Sequence, residues 1–383
     1  MDFQFYCPTQ LIVGQGKIDE LADLTINHGS RAFLVYGTSV HDDGNLDIIQ
    51  NLLKKKNITP VPYRKPAGEP DIEMVDQAAE TAKSEQCDVI VTIGGGAVID
   101  LGKAVAGLAT NGGSVLDYME GIGQGRKLTE KPLPHIAVPT TAGTGAEVTK
   151  NAVITAPQAK YKKSFRSPYL FPTIAILDAE LSVNLPPEQT AYSGMDAITQ
   201  LIESYITQRA NPITDALALH GLQLSLPAIK TIYKNGKDTE AREAMLLAST
   251  LSGVCLANAG LGMAHGFAPA LGAMYDVPHG KACAILLPHA MQYNQNAALP
   301  KFADLGRIIS KQANQTEQEL ADRAIHGISQ LITDLGIPRD FKYLNVKEED
   351  IDPIVKRSKG NSMNGNPLPV TDDMAREFLV SLL

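Results

Sequence analysis

Four stretches of this chain, RAFLVYG, CDVIVTIGGG, HIAVPTT and TIAILDA, are apolar at nearly every position instead of at every second one. A strand of that kind has no face to give to water, so both faces of its sheet must be covered by other elements. The cover is written between them. RAFLVYG is followed by NLDIIQNLLKKK, TPVPYRK by DIEMVDQAAETAKSE, and CDVIVTIGGG by VIDLGKAVAGLAT, each with helical spacing. Strand and helix in alternation predict a parallel, Rossmann-like α/β sheet with helices on both faces.

Beyond about residue 182 the pattern changes. PEQTAYSGMDAITQLIESYITQ, PITDALALHGLQLSLPAIKTIYK, TEAREAMLLASTLSGVCLANAG and TEQELADRAIHGISQLITDLG are helical throughout, and strand signals vanish. LSVNLPPEQ, rich in proline, marks the boundary, so the expected domains are residues 1–181, α/β, and residues 182–383, all-helical. A cleft between two such domains is the expected place for a ligand pocket.

Among the 383 residues, 34 basic side chains face 42 acidic ones with no basic block, which argues against nucleic acid or an anionic membrane as partner and for a small molecule. The cysteines Cys7, Cys87, Cys255 and Cys283 lack paired spacing and read as reduced, three of them as small hydrophobes in apolar surroundings. MDFQFYCPTQ has no signal-peptide pattern and no apolar run reaches a membrane span, so the expected setting is cytoplasmic. The expected assembly is a homo-oligomer, a dimer.

Two glycine-rich stretches sit where parallel strands end. In VTIGGGAVIDLGKAV, residues 91–105, an apolar strand runs through Gly94, Gly95 and Gly96 into a helix near Ala97, with Asp100 in its first turns. Successive glycines let backbone approach a diphosphate that a helix N-terminus favours, although GGG is not the GxGxxG fingerprint and also suits a plain tight turn. In HIAVPTTAGTGAEVTK, residues 135–150, the amides and hydroxyls of Thr140, Thr141 and Thr144, with Gly145, could donate to phosphate or ribose oxygens; a surface loop is the other reading. Two such loops on one sheet edge favour a nucleotide. The first central strand ends in Gly37, Thr38 and Ser39 with no carboxylate for an adenosine ribose 2′-hydroxyl, and Asp42 and Asp43 read as a turn, which leans toward NADP over NAD.

GMDAITQLIESYI sets Asp196 and Gln200 four apart, on one helical face. That alone is a polar edge or half a metal site. LGMAHGFAPALGAMYDVPHGKACAILLPHAM adds His265 and His279, with enough glycine and proline between them for the chain to double back and bring both imidazoles to Asp196. One carboxylate with two imidazoles is a set used for non-haem Fe(II) and, with Glu for Asp, catalytic Zn²⁺. His28, His41, His135, His220, His289 and His326 have no such setting.

With GGGAVIDLGKAVA, PTTAGTGAEVT, FPTIAILDAELSVNLPP, GMDAITQLIESYI and HGFAPALGAMYDVPHGKACAILLPHAM in that order, the chain resembles the iron-containing (group III) alcohol dehydrogenase family over essentially its whole length. The resemblance implies the dehydroquinate synthase-like fold: an α/β dinucleotide-binding domain, then an all-α domain carrying a divalent metal, Fe²⁺ or sometimes Zn²⁺. It implies NAD(P)-linked interconversion of an alcohol with its aldehyde or ketone. By position, Gly94, Gly95, Gly96 and Ala97 match the pyrophosphate grip, and Thr140, Thr141, Thr144 and Gly145 the nicotinamide-side loop. Lys162 matches the lysine that reaches the cofactor, and Gly37 stands where NAD-specific members carry aspartate. Asn151 and Phe267 are the residues expected to border substrate.

Two positions depart from the family. Gln200 stands where a histidine ligand is usual, and Pro269 where many members have a second histidine able to carry a proton. The expected metal set is Asp196, Gln200, His265 and His279, of which Asp196, His265 and His279 are the catalytic core. The rivals are a metal-free reductase of the maleylacetate type, for which Gln200 argues, and a dehydroquinate synthase-like lyase, against which the apolar surroundings of Asp196 and His265 argue.

Overall fold

The computed structural model describes residues 2–157, 161–310 and 315–383. The chain divides into two compact units, one spanning Cys7–Leu185 and the other Pro186–Leu383 with the stretch that ends at Tyr6, against an expected boundary after residue 181.

Among its described residues the first unit holds eight strands, β1 Gln10–Val13, β2 Arg31–Tyr36, β3 Thr59–Arg64, β4 Val89–Gly94, β5 His135–Pro139, β6 Asn151–Ala156, β7 Tyr161–Arg166 and β8 Ile174–Leu177. Its helices are α1 Leu21–Ile26, α2 Thr38–Asp42, α3 Asn45–Lys55, α4 Ile72–Ser84 and α5 Gly96–Asn111. Six strands form one parallel sheet in the order β1-β8-β5-β4-β2-β3. The near-continuous apolar runs are buried on both faces, as their composition requires. Phe33, Val35 and Ile90 pack with residues of α4 and α5, while Leu34, Val91 and Ile93, one residue out of phase, pack with α1 and α3. The Asp42–Asp43 turn read from sequence lies where the short helix α2 ends: Asp42 is its last residue and Asp43 begins the turn to Gly44.

Because β2 connects outward to β3 and β4 connects the other way to β5, the order reverses between β2 and β4, the crevice where open α/β sheets bind ligands. Gly37 and the Gly94–Gly95–Gly96 run are the strand ends on its two sides, joined where the Gly37 amide donates to the Ile93 carbonyl at 3.1 Å.

The antiparallel pair β6-β7 has no counterpart in the apolar-run reading, since β6 alternates and β7 is largely polar. It is tied to α5 by Lys103, 1% exposed, whose Nζ donates to Asn151 O at 2.8 Å, Thr149 Oγ1 at 2.9 Å and Asp100 Oδ1 at 3.2 Å. Asp100 Oδ2 accepts from the Val153 amide at 3.0 Å.

The second unit is helical, with no strand among its described residues: α6 Pro187–Ile206, α7 Pro212–Lys234, α8 Thr239–Ala259, α9 Met263–Tyr275, α10 His279–Asn294, α11 Leu299–Ser310, α12 Glu317–Asp334, α13 Glu348–Ser358 and α14 Asp372–Val380. Asn211 caps α7 through a capping box and Thr316 does the same for α12, which is why these helices start where they do. No single described helix is long and apolar enough to cross a membrane.

His135 opens β5, and its Nε2 lies 2.8 Å from Thr92 Oγ1. Burial, aided by the nearby Lys103 charge, pushes its pKa down to about 3. Unfolding lets the imidazole take up a proton at any pH between about 3 and the ordinary value near 6.5, so stability falls as pH drops through that window, by up to about 1.4 kcal/mol per unit. His135→Gln should shrink the urea-unfolding difference between pH 7 and pH 5 by about 2 kcal/mol. An unchanged difference would assign the acid sensitivity to other groups.

Candidate metal centre and dinucleotide crevice

Along α6, Asp196, Gln200 and Glu203 fall at spacings of four and three, so all three lie on one helical face. That face is buried, with Asp196 and Gln200 each 3% and Glu203 2% exposed. Opposite it the chain turns back between α9 and α10 as the glycine and proline spacing predicted, with Asp276 in the left-handed region at φ 54° and Pro278 capping α10.

The turn delivers two imidazoles to Asp196. Its Oδ1 lies 3.1 Å from His265 Nε2 and 3.6 Å from His279 Nε2, and the two rings stand edge to face with centroids 5.4 Å apart. Cys283, one turn beyond His279, completes the group with Sγ 3.6 Å from His279 Nε2. One donor atom from each of Asp196, His265, His279 and Cys283 lies within 4.8 Å of all the others. Cys283 is buried as its apolar context suggested, but its thiol faces polar donors, which corrects its reading as a mere space-filler.

Glycine makes this approach feasible. A Cβ on Gly280 would sit 2.1 Å from the Tyr192 carbonyl oxygen and 3.4 Å from the Asp196 Cβ, so only glycine lets the start of α10 lie this close to α6. Glu203 supports the centre from behind. Its Oε2 is 2.7 Å from His265 Nδ1, and Oε1 accepts from the Ala264 amide at 2.7 Å, in the first turn of α9. A carboxylate on Nδ1 fixes the tautomer that leaves the Nε2 lone pair facing the cluster, the arrangement typical of metal-binding histidines. Sequence reasoning missed Glu203, although its place seven residues after Asp196 was the available signal.

The electrostatics are those of donors that exchange protons for a cation. Burial would raise the Asp196 carboxyl, but His279, His265 and the Cys283 thiol outweigh it and hold the group below the usual carboxylate range. Burial would lower His265, yet Cys283, Asp196 and Glu203 lift it well above its ordinary value. The Cys283 thiol, buried and only partly relieved by His265, is pushed up to about 12. A carboxylate, two imidazoles and a thiol fit a borderline divalent ion, Zn²⁺ or Fe²⁺, far better than Mg²⁺ or Ca²⁺.

Gln200 reaches the same face, and its Oε1 accepts from Ser252 Oγ at 2.9 Å. Pro269 is inside α9. Phe267, expected at the substrate, is instead core: it is fully buried and stacks on Phe378 at 5.3 Å and 17°, and Leu271 is buried as completely.

In the first unit the two glycine-rich loops meet. A Cβ on Gly95 would lie 3.2 Å from Thr141 Oγ1, and one on Gly96 would lie 2.5 Å from Thr144 Oγ1. Thr140 donates its amide to the Gly94 carbonyl at 3.0 Å, and Gly145 takes a left-handed φ of 60°. Ala97 follows in the first turn of α5, where a helix has amides without an intrahelical partner. This cradle of backbone amides and hydroxyls suits a diphosphate. Asp100 does not join it, since both its oxygens are held by Lys103 and Val153, which corrects its assignment to the cofactor. Lys162 Nζ pairs with Glu69 at 2.7 Å, and Asn151 opens β6 half-buried.

Comparison with known proteins gives two family matches: "Iron-containing alcohol dehydrogenase" over residues 8–179 and "Fe-containing alcohol dehydrogenase family, C-terminal" over residues 190–382. The chain is 35% identical to "Alcohol dehydrogenase 4" of Saccharomyces cerevisiae over 372 residues, 96% of this chain and 95% of that one. It is 33% identical to "NAD-dependent methanol dehydrogenase" of Bacillus methanolicus over 357 residues, 92% of each. A crystal structure of 1,3-propanediol oxidoreductase superposes with a TM-score of 0.94 at 32% identity, covering all of both chains.

Glu203→Gln should keep the shape of the centre but loosen the His265 tautomer, lowering divalent-metal affinity roughly 10- to 100-fold by chelator competition. Gly280→Ala must push α10 off α6, and a stability loss of about 1–3 kcal/mol by urea unfolding is expected. Wild-type affinity in the first variant would take the support role away from Glu203.

Proposed function

The chain belongs to the iron-containing alcohol dehydrogenase family, and from that premise we propose that it reduces small aldehydes to primary alcohols, and the reverse, with NADP(H) as its preferred dinucleotide. An NAD(P)-linked alcohol–aldehyde oxidoreductase is what the family and its relatives establish; the substrate size, the phosphorylated cofactor and the named residues are the proposal. The observation that carries it is the set of buried Asp196 and His265 with half-buried His279, converging from three helices and buttressed by Glu203.

When bound, the divalent ion supplies Lewis acidity toward the substrate oxygen and the nicotinamide supplies the hydride. Asp196, His265 and His279 hold the ion, and Glu203 keeps His265 Nε2 aimed at it. Gly94, Gly95 and Gly96 with the first amides of α5 bind the diphosphate, whose charge the helix N-terminus favours. Thr140, Thr141 and Thr144 orient the nicotinamide half, and Lys162 and Asn151 border it. With proline at position 269, α9 offers no second imidazole there to move the alcohol proton, which would leave through water. Gly37, Thr38 and Ser39 offer hydroxyls and no carboxylate, a surrounding that tolerates a 2′-phosphate.

NADPH and NADH loss with short aldehydes, before and after chelation and with Fe²⁺ or Zn²⁺ restored, tests the whole reading. Activity should vanish with the metal and return with it. Undiminished turnover in protein verified free of metal would favour the metal-free reductase that Gln200 brings to mind. Gly37→Asp should move the NADH-to-NADPH ratio of kcat/KM toward NADH by roughly tenfold or more, the worth of one charge-assisted hydrogen bond and one repulsion. A ratio that stays put, or that already favours NADH in the wild type, overturns the cofactor preference.

A further inference from the structure

We infer that Cys283, and not Gln200, is the fourth protein donor of the metal centre, and that the resulting carboxylate, two-imidazole and thiolate set shifts its selectivity toward Zn²⁺. This rests on the metal-binding reading above and adds to it the identity of a ligand.

The distances carry the argument. Around one tetrahedral zinc ion, nitrogen and oxygen donors stand about 3.4 Å apart, and a sulfur and a nitrogen about 3.6 Å, from bond lengths of about 2.0–2.2 Å and about 2.3 Å. Here the two oxygen–nitrogen separations are 3.1 and 3.6 Å, and the sulfur–nitrogen separation is 3.6 Å. Three of the six donor pairs stand at coordination spacing, and all six lie within 4.8 Å. Gln200 differs in chemistry: its amide oxygen accepts from the Ser252 hydroxyl at 2.9 Å, and a neutral amide is a weaker donor toward Fe²⁺ or Zn²⁺ than a thiolate.

The placement of Cys283 follows from the helix that bears His279. Residues four apart share a face, so the Gly280 contact that seats His279 against Asp196 brings the thiol with it. Binding then exchanges the thiol proton for the cation: the S–H bond breaks, a metal–sulfur bond forms, the proton leaves to solvent and nothing is oxidised. A thiolate is softer than the imidazole usual at the position of Gln200, and softer ligands favour zinc. Zinc can add a fifth donor during turnover, so four protein ligands leave the substrate oxygen a place.

Cobalt reports sulfur ligation directly. Full-length protein stripped by chelator and loaded with Co²⁺ should show near-ultraviolet sulfur-to-cobalt charge-transfer absorption, retained in Gln200→Ala and in Cys255→Ser and absent in Cys283→Ser. In Cys283→Ser the ratio of Zn²⁺ to Fe²⁺ affinity should fall at least tenfold by chelator competition under anaerobic conditions. Stoichiometric cobalt in the wild type without that absorption overturns the inference and leaves the metal-binding reading intact. The same follows if Gln200→Ala loses the metal while Cys283→Ser keeps it. A wild-type chain that takes up no cobalt overturns the metal reading itself, and the inference with it.

Discussion

A carboxylate 2% exposed is tolerable only when its oxygens are filled, and Glu203 fills them with the start of α9 on one side and His265 Nδ1 on the other. That requirement orders the second unit. The free amides of α9 need an acceptor, the acceptor must come from α6, and once it is there His265 can point only toward Asp196. One buried charge therefore fixes a helix terminus, a tautomer and a ligand at once. Removing it would leave three donors without a partner, which is why a substitution that keeps the amide geometry is more informative than a truncation.

Under the proposed function the two units would bind their charged partners by opposite means. The crevice of the first unit uses backbone amides and small hydroxyls, and glycines there keep side chains out of the way, as the 2.5 Å approach of a Gly96 Cβ to Thr144 shows. The centre of the second unit uses side chains, and its glycine at position 280 brings two helices together so those side chains meet. In one unit glycine lets two loops close on each other; in the other it lets two helices do so.

This difference explains what could be read from the sequence. Both faces of the parallel sheet were legible in RAFLVYG and CDVIVTIGGG, because unbroken apolar runs admit one kind of neighbour. The strand β1, an edge four residues long, the alternating β6 and the largely polar β7 carry no such signature and were not anticipated. Asp196, His265 and His279 stood out as ligand types at suggestive spacing, while Glu203 and Cys283 were hidden, the one as an ordinary helical acid and the other as one more apolar cysteine. Asp100 and Phe267 were placed by proximity in sequence to functional residues, and three-dimensional packing put each to another use: Asp100 ties α5 to β6, and Phe267 stacks on Phe378.

Gln200 and Cys283 are best understood as a pair. With glutamine where an imidazole is usual, α6 contributes one ionisable ligand instead of two, and the shortfall has to be met by another element or accepted as weaker binding. α10 is the element already pressed against that site, and its next inward position after His279 is 283. A thiol there meets the shortfall with a donor that can carry charge, at the spacing the other donors keep, while the amide of Gln200 turns to the Ser252 hydroxyl. The exchange keeps the count of donors and changes their character, from nitrogen on one helix to sulfur on its neighbour. Its consequence falls on the identity of the ion more than on the reaction, because the carboxylate and the two imidazoles are untouched.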